Sequence, residues 1–260
     1  MGNSNDLYEF FEKGDHRFVR KWVHYFDIYE RYFSKFRDKP IVFVEIGIFQ
    51  GGSLQMWKHY FGPKSRIIGI DIDERCKRFE EEGIEIYIGS QGDTNFINDL
   101  LAKIGDIDII LDDGGHNMVP QIKFFDLIYP KIKEGGIYMC EDTHSSYMLR
   151  FGGGHRRSGT YIERMKKVID SIHAWHSEQR SLKKDYYTKN VKGIHFYESI
   201  VVVEKGEVIM PHEDGYGVRS FEHSTTSRLG IFLNLSLFVV DKINEALRSV
   251  GITSIHYGKK

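Results

Sequence analysis

Apolar residues in the first two thirds of the chain follow two alternating patterns. Five short β-rich runs read IVFVEIGIF, RIIGIDID, EIYIGS, IDIILDD and GGIYMCEDT. Segments with helical spacing follow the first four runs: LQMWKHYF, a charged stretch through Glu82, Phe96–Ile104 and Val119–Lys131. Strands that alternate with helices of this length imply right-handed crossovers and helices on both faces of a sheet. The sequence therefore predicts an α/β fold with a mostly parallel, doubly wound sheet.

The later segments predict how this sheet ends. SSYMLRFGGGHRRSGT has the composition of a glycine-rich loop, and Tyr161–Glu178 returns to helical spacing. IHFYESIVVVEKGE then supplies one or two closing strands. Such strands can form an antiparallel edge on an otherwise parallel sheet.

Two flanking segments complete the predicted organisation. Aromatic and apolar residues recur at helical spacing between Asp6 and Phe36, which predicts one amphipathic helix or a pair of helices in an N-terminal segment over residues 1–38. The core is predicted over residues 39–205. Residues 206–260 form a C-terminal extension with an apolar helix that ends at Gly251. That apolar surface predicts a homo-oligomer, with packing of the helix against its own domain as the alternative.

Composition narrows the class of protein. A chain of 260 residues with 41% hydrophobic content can bury one sizeable core, and a formal net charge of -1 predicts no nucleic-acid partner. No apolar run reaches the roughly 18 residues of a membrane span, and the first residues lack an export signal. The two cysteines, Cys76 and Cys140, have no paired metal-ligand spacing. These features predict a cytoplasmic protein without a membrane partner.

A glycine-rich turn follows the first predicted strand, where ligands of doubly wound sheets bind. The turn runs from Glu45 through Gly47 to Ser53, and its glycines allow a ligand to lie against the backbone. It lacks the G-x-G-x-x-G phosphate pattern, which disfavours a nicotinamide dehydrogenase. An acidic Glu45 would repel a pyrophosphate but suits an ammonium or sulfonium ligand. A plain tight turn is the alternative.

Two further strand ends carry polar residues suited to a nucleoside. Asp71 ends the second strand about 20 residues beyond the glycine turn, the separation at which a carboxylate can accept both ribose hydroxyls. Ser90 and Gln91 follow the third strand. The Gln91 amide either pairs with an adenine edge or caps the next helix.

The fourth and fifth strands end in acidic pairs. Asp112 and Asp113 follow one strand, and Glu141 and Asp142 follow the other. Neighbouring parallel strands lie about 5 Å apart, so these carboxylates can converge on one cation. Hard oxygen ligands favour Mg²⁺, with Mn²⁺ or Ca²⁺ as further candidates. The alternative is that Asp113 and Asp142 only cap the succeeding helices.

His116 lies three residues beyond Asp113, in the same turn. An imidazole with an ordinary pKa of about 6.5 suits a base at neutral pH. His116 is therefore the candidate general base for a hydroxyl held at the cation. A lone histidine is more often structural, so this interpretation depends on the neighbouring carboxylates.

These motifs together resemble a known family. VEIGIFQGGSLQMWKHYF, IIGIDID, GSQGD, IILDDGGH, GGIYMCEDTHSSY and IHFYESIVVVEK occur in this order and span roughly Asp15 to Lys205. The chain resembles the class I S-adenosylmethionine-dependent methyltransferases, which have a Rossmann-like fold. Within them it is similar to the metal-dependent macrolide sugar O-methyltransferases, of the mycinamicin and macrocin type, and to the cephalosporin hydroxylase-like and rhamnosyl O-methyltransferase families.

The resemblance implies S-adenosylmethionine and Mg²⁺ as cofactors and assigns roles to the motif residues. It implies that the methionine end of the cofactor contacts Glu45, Gly47 and Ser53, that Asp71 holds the ribose, and that Ser90 and Gln91 flank the adenine. It also implies Asp113, Glu141 and Asp142 as metal ligands and His116 as general base. Asp112 either holds the cofactor's amino group or joins the metal ligands.

The predicted function is O-methylation of a sugar hydroxyl in polysaccharide or natural-product biosynthesis. Two alternatives stay open: a catechol-type O-methyltransferase, and a non-catalytic cofactor-binding module. The partner is expected to be a small or sugar-containing substrate. Candidates for the walls around that substrate are Trp22, Tyr25, His144, Tyr147 and Arg156.

Overall fold

The computed structural model describes residues 6–179, 181–218, 220–221, 238–240, 242–244 and 246–247. The strands are β1 (Val42–Ile46), β2 (Arg66–Asp71), β3 (Ile84–Ile88), β4 (Ile107–Asp112), β5 (Ile132–Cys140), β6 (Val191–Phe196) and β7 (Val201–Lys205). The α-helices among these residues include α1 (Asp6–Lys13), α2 (Tyr25–Phe33), α3 (Gly52–Phe61), α4 (Thr94–Ile104), α5 (Met118–Ile128), α6 (Tyr161–Ile172) and α7 (Tyr186–Asn190).

These strands form one sheet with the order β3-β2-β1-β4-β5-β7-β6. Strands β1 to β5 pair in parallel, and β7 runs antiparallel to both β5 and β6. The predicted α/β fold with an antiparallel edge is confirmed. The strand order reverses next to β1, which lies between β2 and β4, so the carboxyl edge at this point is where such sheets bind ligands.

The side chains of successive strand residues point to opposite faces of the sheet, as the two-residue period of a strand requires. Phe43 packs with the buried residues of α2 and α3, while Val44 packs with those of α4 and α5. The α2 side of this core is rich in rings: Tyr29 and Phe33 both contact Trp57 edge-on, with ring centroids 5.0 and 5.7 Å apart. The N-terminal helices therefore cover one face of the sheet.

Three predicted helices differ from the observed ones. The N-terminal segment forms the pair α1 and α2, but the helix predicted through Phe18 and Trp22 is wrong, because α1 ends before Gly14, whose φ of +68° stops the helix. Residues 14–24 are an irregular segment, called the bridging segment below. The charged helix predicted through Glu82 is a short 3-10 helix, Glu74–Phe79, and α6 ends six residues before the predicted Glu178.

The chain divides into two compact units. One covers residues up to 177 together with 182–210 and contains the sheet; the other comprises 178–181 and the residues from 211 onward. Most of the predicted helix that ends at Gly251 lies outside the described residues. The parts of it that are described, 238–240, 242–244 and 246–247, are helical. Among the residues described, no helix is long and apolar enough to cross a membrane.

Candidate active site

The acidic tips of β4 and β5 are level with each other. Asp112 pairs with Ile46 of β1 and Cys140 of β5. The backbone N–H of Asp113 donates to the Ile46 carbonyl at 3.0 Å, and that of Glu141 donates to the Asp112 carbonyl at 2.9 Å. Backbone pairing thus continues one residue beyond the strands and places Asp113 beside Glu141.

A second acidic residue and the predicted base join this pair. Asp113, His116 and Asp142 each offer one ligand atom, and these atoms lie within 4.8 Å of one another. His116 Nε2 lies 3.9 Å from Asp113 Oδ1 and 3.6 Å from Asp142 Oδ2, both longer than hydrogen bonds. His116 and Asp142 have φ of +53° and +50°. Left-handed backbone of this kind is uncommon outside glycine and concentrates at functional sites.

The alternative that these carboxylates only cap helices is wrong for Asp113 and Asp142. Asn117 occupies the N-cap of α5, so Asp113 lies too far upstream to cap it. Asp142 precedes the short 3-10 helix Thr143–Tyr147, but its side chain makes no capping hydrogen bond. Both carboxylates are therefore available to a cation.

The glycine loop, residues 47–53, passes very close to the acidic tips. A Cβ on Gly47 would lie 2.0 Å from the carbonyl oxygen of Asp113, and Gly47 has φ of +84°. A side chain there would collide with backbone, which explains the glycine. This close approach brings the loop and the carboxylates to one point on the sheet edge.

Two cavities meet at this loop. The first, called the glycine-loop cavity, has about 480 Å³ and is lined by Asp71, Ser90 and Gln91 among others. The second, called the carboxylate cavity, has about 610 Å³, and its lining includes Ser53, Lys21 and the predicted base and metal ligands Asp113, His116, Glu141 and Asp142. Gly47 and Phe49 line both cavities.

Asp71 fixes the backbone of the glycine loop. Its Oδ2 accepts hydrogen bonds from the backbone N–H groups of Ile48 and Phe49 at 3.0 and 3.1 Å, and its Oδ1 accepts from Asp73 at 2.9 Å. The contact of Asp71 with a ribose stays a prediction. Its position on the wall of the glycine-loop cavity is compatible with that role.

Gln91 is not the cap of the helix that follows it. Asp93 caps α4 by accepting from the backbone N–H groups of Asn95 and Phe96. Gln91 Oε1 instead accepts from the Gly115 N–H at 3.0 Å. Gln91 and Ser90 both face the glycine-loop cavity, where their predicted contact with an adenine remains untested.

Asp112 points away from the other acidic residues. Its side chain is fully buried, and its Oδ2 accepts from the Tyr138 hydroxyl at 2.6 Å. Burial raises the pKa of Asp112 to about 6. Asp112 lines neither of the two cavities, so its predicted contact with cofactor or metal finds no support in this geometry.

A lysine that the sequence did not single out lies between the strand tips. Lys21 Nζ is 2.6 Å from Asp113 Oδ2, 2.8 Å from Glu141 Oε2 and 3.6 Å from Glu45 Oε1. Its side chain is only 3% exposed. Burial alone would lower the pKa of Lys21, but the three carboxylates hold it well above its usual value. Lys21 is therefore a charged ammonium inside the cluster.

The bridging segment that carries Lys21 is tied to α3. The backbone N–H of Arg17 donates to Gln55 Oε1 at 2.9 Å, and a Cβ on Gly52 would lie 2.1 Å from the Arg17 carbonyl oxygen. The segment thus crosses the first turn of α3 and directs Lys21 toward the sheet edge. Periodicity in the sequence could not reveal this, because the segment is irregular.

Two tyrosines of α2 orient the metal-site candidates. The Tyr25 hydroxyl donates to Asp142 Oδ1 at 2.7 Å, and the Tyr29 hydroxyl donates to Glu141 Oε1. Residues four apart share a helix face, so the spacing of these tyrosines was a usable signal. The sequence analysis proposed Tyr25 only as a substrate wall.

The predicted substrate walls divide into two groups. Trp22, Tyr25 and His144 line the carboxylate cavity, whereas Tyr147 and Arg156 do not. Arg156 instead lines a separate surface cavity. Sequence reasoning missed two ring side chains at the mouth, Phe18 and Phe49, which are 60% and 65% exposed and in edge contact at 6.1 Å.

Glu45 is the deepest acidic residue of the cluster. Its side chain has no exposed surface, and it accepts a hydrogen bond from the Ser53 hydroxyl at 2.7 Å. Burial raises its pKa to about 7, although Lys21 and Ser53 oppose that rise. Glu45 in the unfolded chain loses its proton near pH 4.5. The folded protein therefore holds an extra proton between about pH 4.5 and 7, and stability falls as pH rises through this window.

We expect Glu45→Gln to remove this pH dependence from the metal-free protein. The wild type should lose about 3 kcal/mol more than the variant between pH 5 and pH 8, following the shift in pKa. Urea unfolding in EDTA at several pH values measures the difference. Glu85→Gln is the control, because the pKa of Glu85 is lowered by its bond to Arg66. Parallel pH profiles for wild type and Glu45→Gln would contradict the expectation.

Known proteins match this chain in sequence over about 70% of its length. No family model matches the sequence. The chain is 32% identical over 200 residues to demethylmacrocin O-methyltransferase of Streptomyces fradiae, covering 72% of this chain and 50% of the relative. It is 32% identical over 189 residues to mycinamicin VI 2''-O-methyltransferase of Micromonospora griseorubida, covering 68% of this chain and 47% of the relative.

Solved structures agree with these relatives. MycE methyltransferase from the mycinamycin biosynthetic pathway, in complex with Mg, SAH and mycinamycin VI, has a TM-score of 0.70 and 30% identity. That match covers 78% of this chain and 54% of the other. A second crystal form with Mg and SAH has a TM-score of 0.71 at 28% identity and covers 89% of this chain and 59% of the other.

The strand order, the two cavities at the carboxyl edge and these matches define the class: the chain has the fold of the class I S-adenosylmethionine-dependent methyltransferases and is similar to them in sequence. Within that class the chain is a homologue of the macrolide sugar O-methyltransferases. The chain spans about half the length of the curated relatives it matches.

Proposed function

We propose that the protein is an S-adenosylmethionine- and Mg²⁺-dependent O-methyltransferase that acts on a hydroxyl of a sugar. The observation that carries this proposal is the meeting of two cavities at the glycine loop. One is nucleoside-sized and has Asp71, Ser90 and Gln91 in its lining, and the other is lined by carboxylates and a histidine. Relatives named for sugar O-methylation support the choice of acceptor.

The donor set fits a hard divalent cation. Carboxylate oxygens with one imidazole at close range suit Mg²⁺ better than a thiophilic metal. Asp113, Glu141 and Asp142 would hold the ion, with Tyr25 and Tyr29 orienting two of these carboxylates. When bound, such a cation polarises the acceptor hydroxyl and eases loss of its proton.

In this proposal His116 receives that proton. Its Nε2 faces Asp113 and Asp142 at distances that exclude hydrogen bonds to them, which leaves the nitrogen lone pair for the acceptor hydroxyl. As the proton moves to Nε2, the acceptor oxygen attacks the methyl carbon of the sulfonium. The new C–O bond forms while the S–C bond breaks, and its electron pair stays on sulfur.

The orientation of the two substrates supplies much of the catalysis in this proposal. The glycine loop separates the two cavities, so a methyl donor that extends past Gly47 would present its sulfonium to the carboxylate cavity. Holding both reactants in line is worth about 7 to 11 kcal/mol in favourable cases. The exposed rings of Phe18, Trp22 and Phe49 offer an apolar rim for the part of the acceptor beyond the reacting sugar.

Methyl transfer from labelled S-adenosylmethionine tests the proposal. The acceptors are mycinamycin VI, demethylmacrocin, a panel of other glycosides, and catechol, each with and without EDTA. Transfer to a glycoside that EDTA abolishes is expected. Preferential transfer to catechol would replace the sugar assignment, and cofactor binding without transfer to any acceptor would favour a non-catalytic module. The cytoplasmic location and the homo-oligomer stay predictions from the sequence.

A further inference from the structure

The ammonium of Lys21 occupies the centre of the acidic cluster. It contacts Asp113 Oδ2 and Glu141 Oε2 within hydrogen-bond distance, and these are two of the three carboxylates proposed for the cation. Glu141 has no free oxygen in this arrangement, because its Oε1 accepts from the Tyr29 hydroxyl. Of the three proposed ligands, Asp113 and Asp142 already lie, together with His116, in a group whose candidate ligand atoms are within 4.8 Å of one another, and Glu141 is not part of that group.

An ammonium and a magnesium ion cannot share this position. Mg²⁺ binds its oxygen ligands at about 2.0 to 2.1 Å. An ion at that distance from Asp113 Oδ2 and Glu141 Oε2 would overlap Lys21 Nζ, which lies 2.6 and 2.8 Å from the same two atoms. Two cations at such close range also repel strongly in a site shielded from water. Binding of the ion between these two oxygens therefore requires Lys21 to move.

We propose that Lys21 is an exchangeable counter-ion, which neutralises Asp113 and Glu141 in the metal-free protein and moves into the carboxylate cavity when Mg²⁺ binds. This inference rests on the proposed function, since it requires the site to hold a divalent cation. Lys21 already lines that cavity, and its four-carbon stem allows its charged end to move while the bridging segment stays bound to α3.

The acidic cluster requires a positive charge both before and after the metal binds. Buried carboxylates without a counter-charge are costly, and Glu45, Asp113 and Glu141 all face Lys21 within 3.6 Å. Lys21 keeps a positive charge among them before the metal arrives. The same charge competes with the metal, so it weakens the apparent affinity for Mg²⁺.

Magnesium titration of Lys21→Met by calorimetry tests this competition. The variant is expected to bind Mg²⁺ about ten- to a hundredfold more tightly than the wild type, within the usual range of coupling between two sites. Lys205→Met is the matched control, because Lys205 is also buried but donates to Tyr186 and Asn190 away from the cluster. The control should bind Mg²⁺ as the wild type does.

Thermal unfolding and lysine labelling supply readouts that do not depend on catalysis. Lys21→Met should melt at a lower temperature than the wild type in EDTA and gain more from added Mg²⁺. In the wild type, Mg²⁺ should increase acylation of Lys21 by an amine-reactive reagent severalfold, as mass spectrometry would show. Labelling of Lys133, which pairs with Asp108 at 2.9 Å, should not change.

The outcomes separate this inference from the proposed function. Equal or weaker Mg²⁺ affinity in Lys21→Met, or Lys21 labelling that ignores Mg²⁺, would overturn the exchange while metal binding stands. If Lys21→Met does not fold, the Mg²⁺ dependence of Lys21 acylation in the wild type tests the exchange. If neither protein binds Mg²⁺, the metal site fails and the exchange fails with it.

Discussion

His116→Asn is expected to slow methyl transfer by about 10²- to 10⁴-fold, the usual contribution of a positioned general base. Asparagine tolerates the left-handed backbone that His116 adopts, so the substitution removes the base without adding strain. Affinity for the cofactor and for Mg²⁺ should stay within a few-fold of the wild type. Steady-state kinetics over pH and calorimetry measure these quantities.

The pH profile distinguishes a base from a metal ligand at this position. Loss of a base should remove the acid limb of kcat/KM, whereas loss of a ligand should weaken Mg²⁺ binding and be rescued by excess metal. His173→Asn, at the C-terminal end of α6, is the control for a general effect of histidine replacement. Unchanged turnover in His116→Asn at saturating metal would exclude the role of base.

Asp142→Asn should reduce Mg²⁺ affinity by at least about 100-fold, more than the loss of a residue that merely orients a ligand. Asparagine keeps the left-handed conformation, and its amide oxygen can still accept from the Tyr25 hydroxyl. The fold should therefore survive while the ligand charge is lost. Calorimetric titration with Mg²⁺ and activity at rising metal concentration provide the measurements.

Tyr25→Phe gives a graded comparison for this result. Removing the hydroxyl leaves Asp142 charged but less well oriented, so affinity should fall by about 10- to 100-fold and less than in Asp142→Asn. Asp126→Asn on α5, which pairs with Arg164 outside the cluster, should leave Mg²⁺ binding unchanged. An Asp142→Asn protein with wild-type Mg²⁺ affinity would remove Asp142 from the ligand set.

The sheet and its acidic tips were predictable because local pattern and topology agree there. Buried runs such as that of β4 read as strands, and parallel pairing makes the residues after them neighbours. Position at the strand end alone does not separate Asp112 from Asp113, although the two-residue period of a strand turns adjacent side chains to opposite sides. Asp112 accordingly lies with Tyr138 in the core, while Asp113 faces the cavity.

The counter-ion could not be predicted in the same way. Lys21 belongs to a segment whose helical spacing of apolar residues does not correspond to a helix, and its contacts with Asp113 and Glu141 span 92 and 120 positions of sequence. The charges around it, such as Arg20, are exposed and indistinguishable from it by composition. Its role follows from long-range packing of the bridging segment over α3.

That packing divides the reaction site between two independently variable parts of the chain. The register of the strands fixes the positions of the acidic tips and of the histidine. Substitutions in these strands disturb many backbone hydrogen bonds at once. The opposite side of the same cavity comes from Phe18, Lys21 and Trp22, whose segment is held at Arg17 by α3 and at Lys21 by the acidic tips. Phe18 and Trp22 are exposed, so substitutions at these two positions can reshape one wall of the cavity while Lys21 and the backbone pairing that sets the acidic tips are kept.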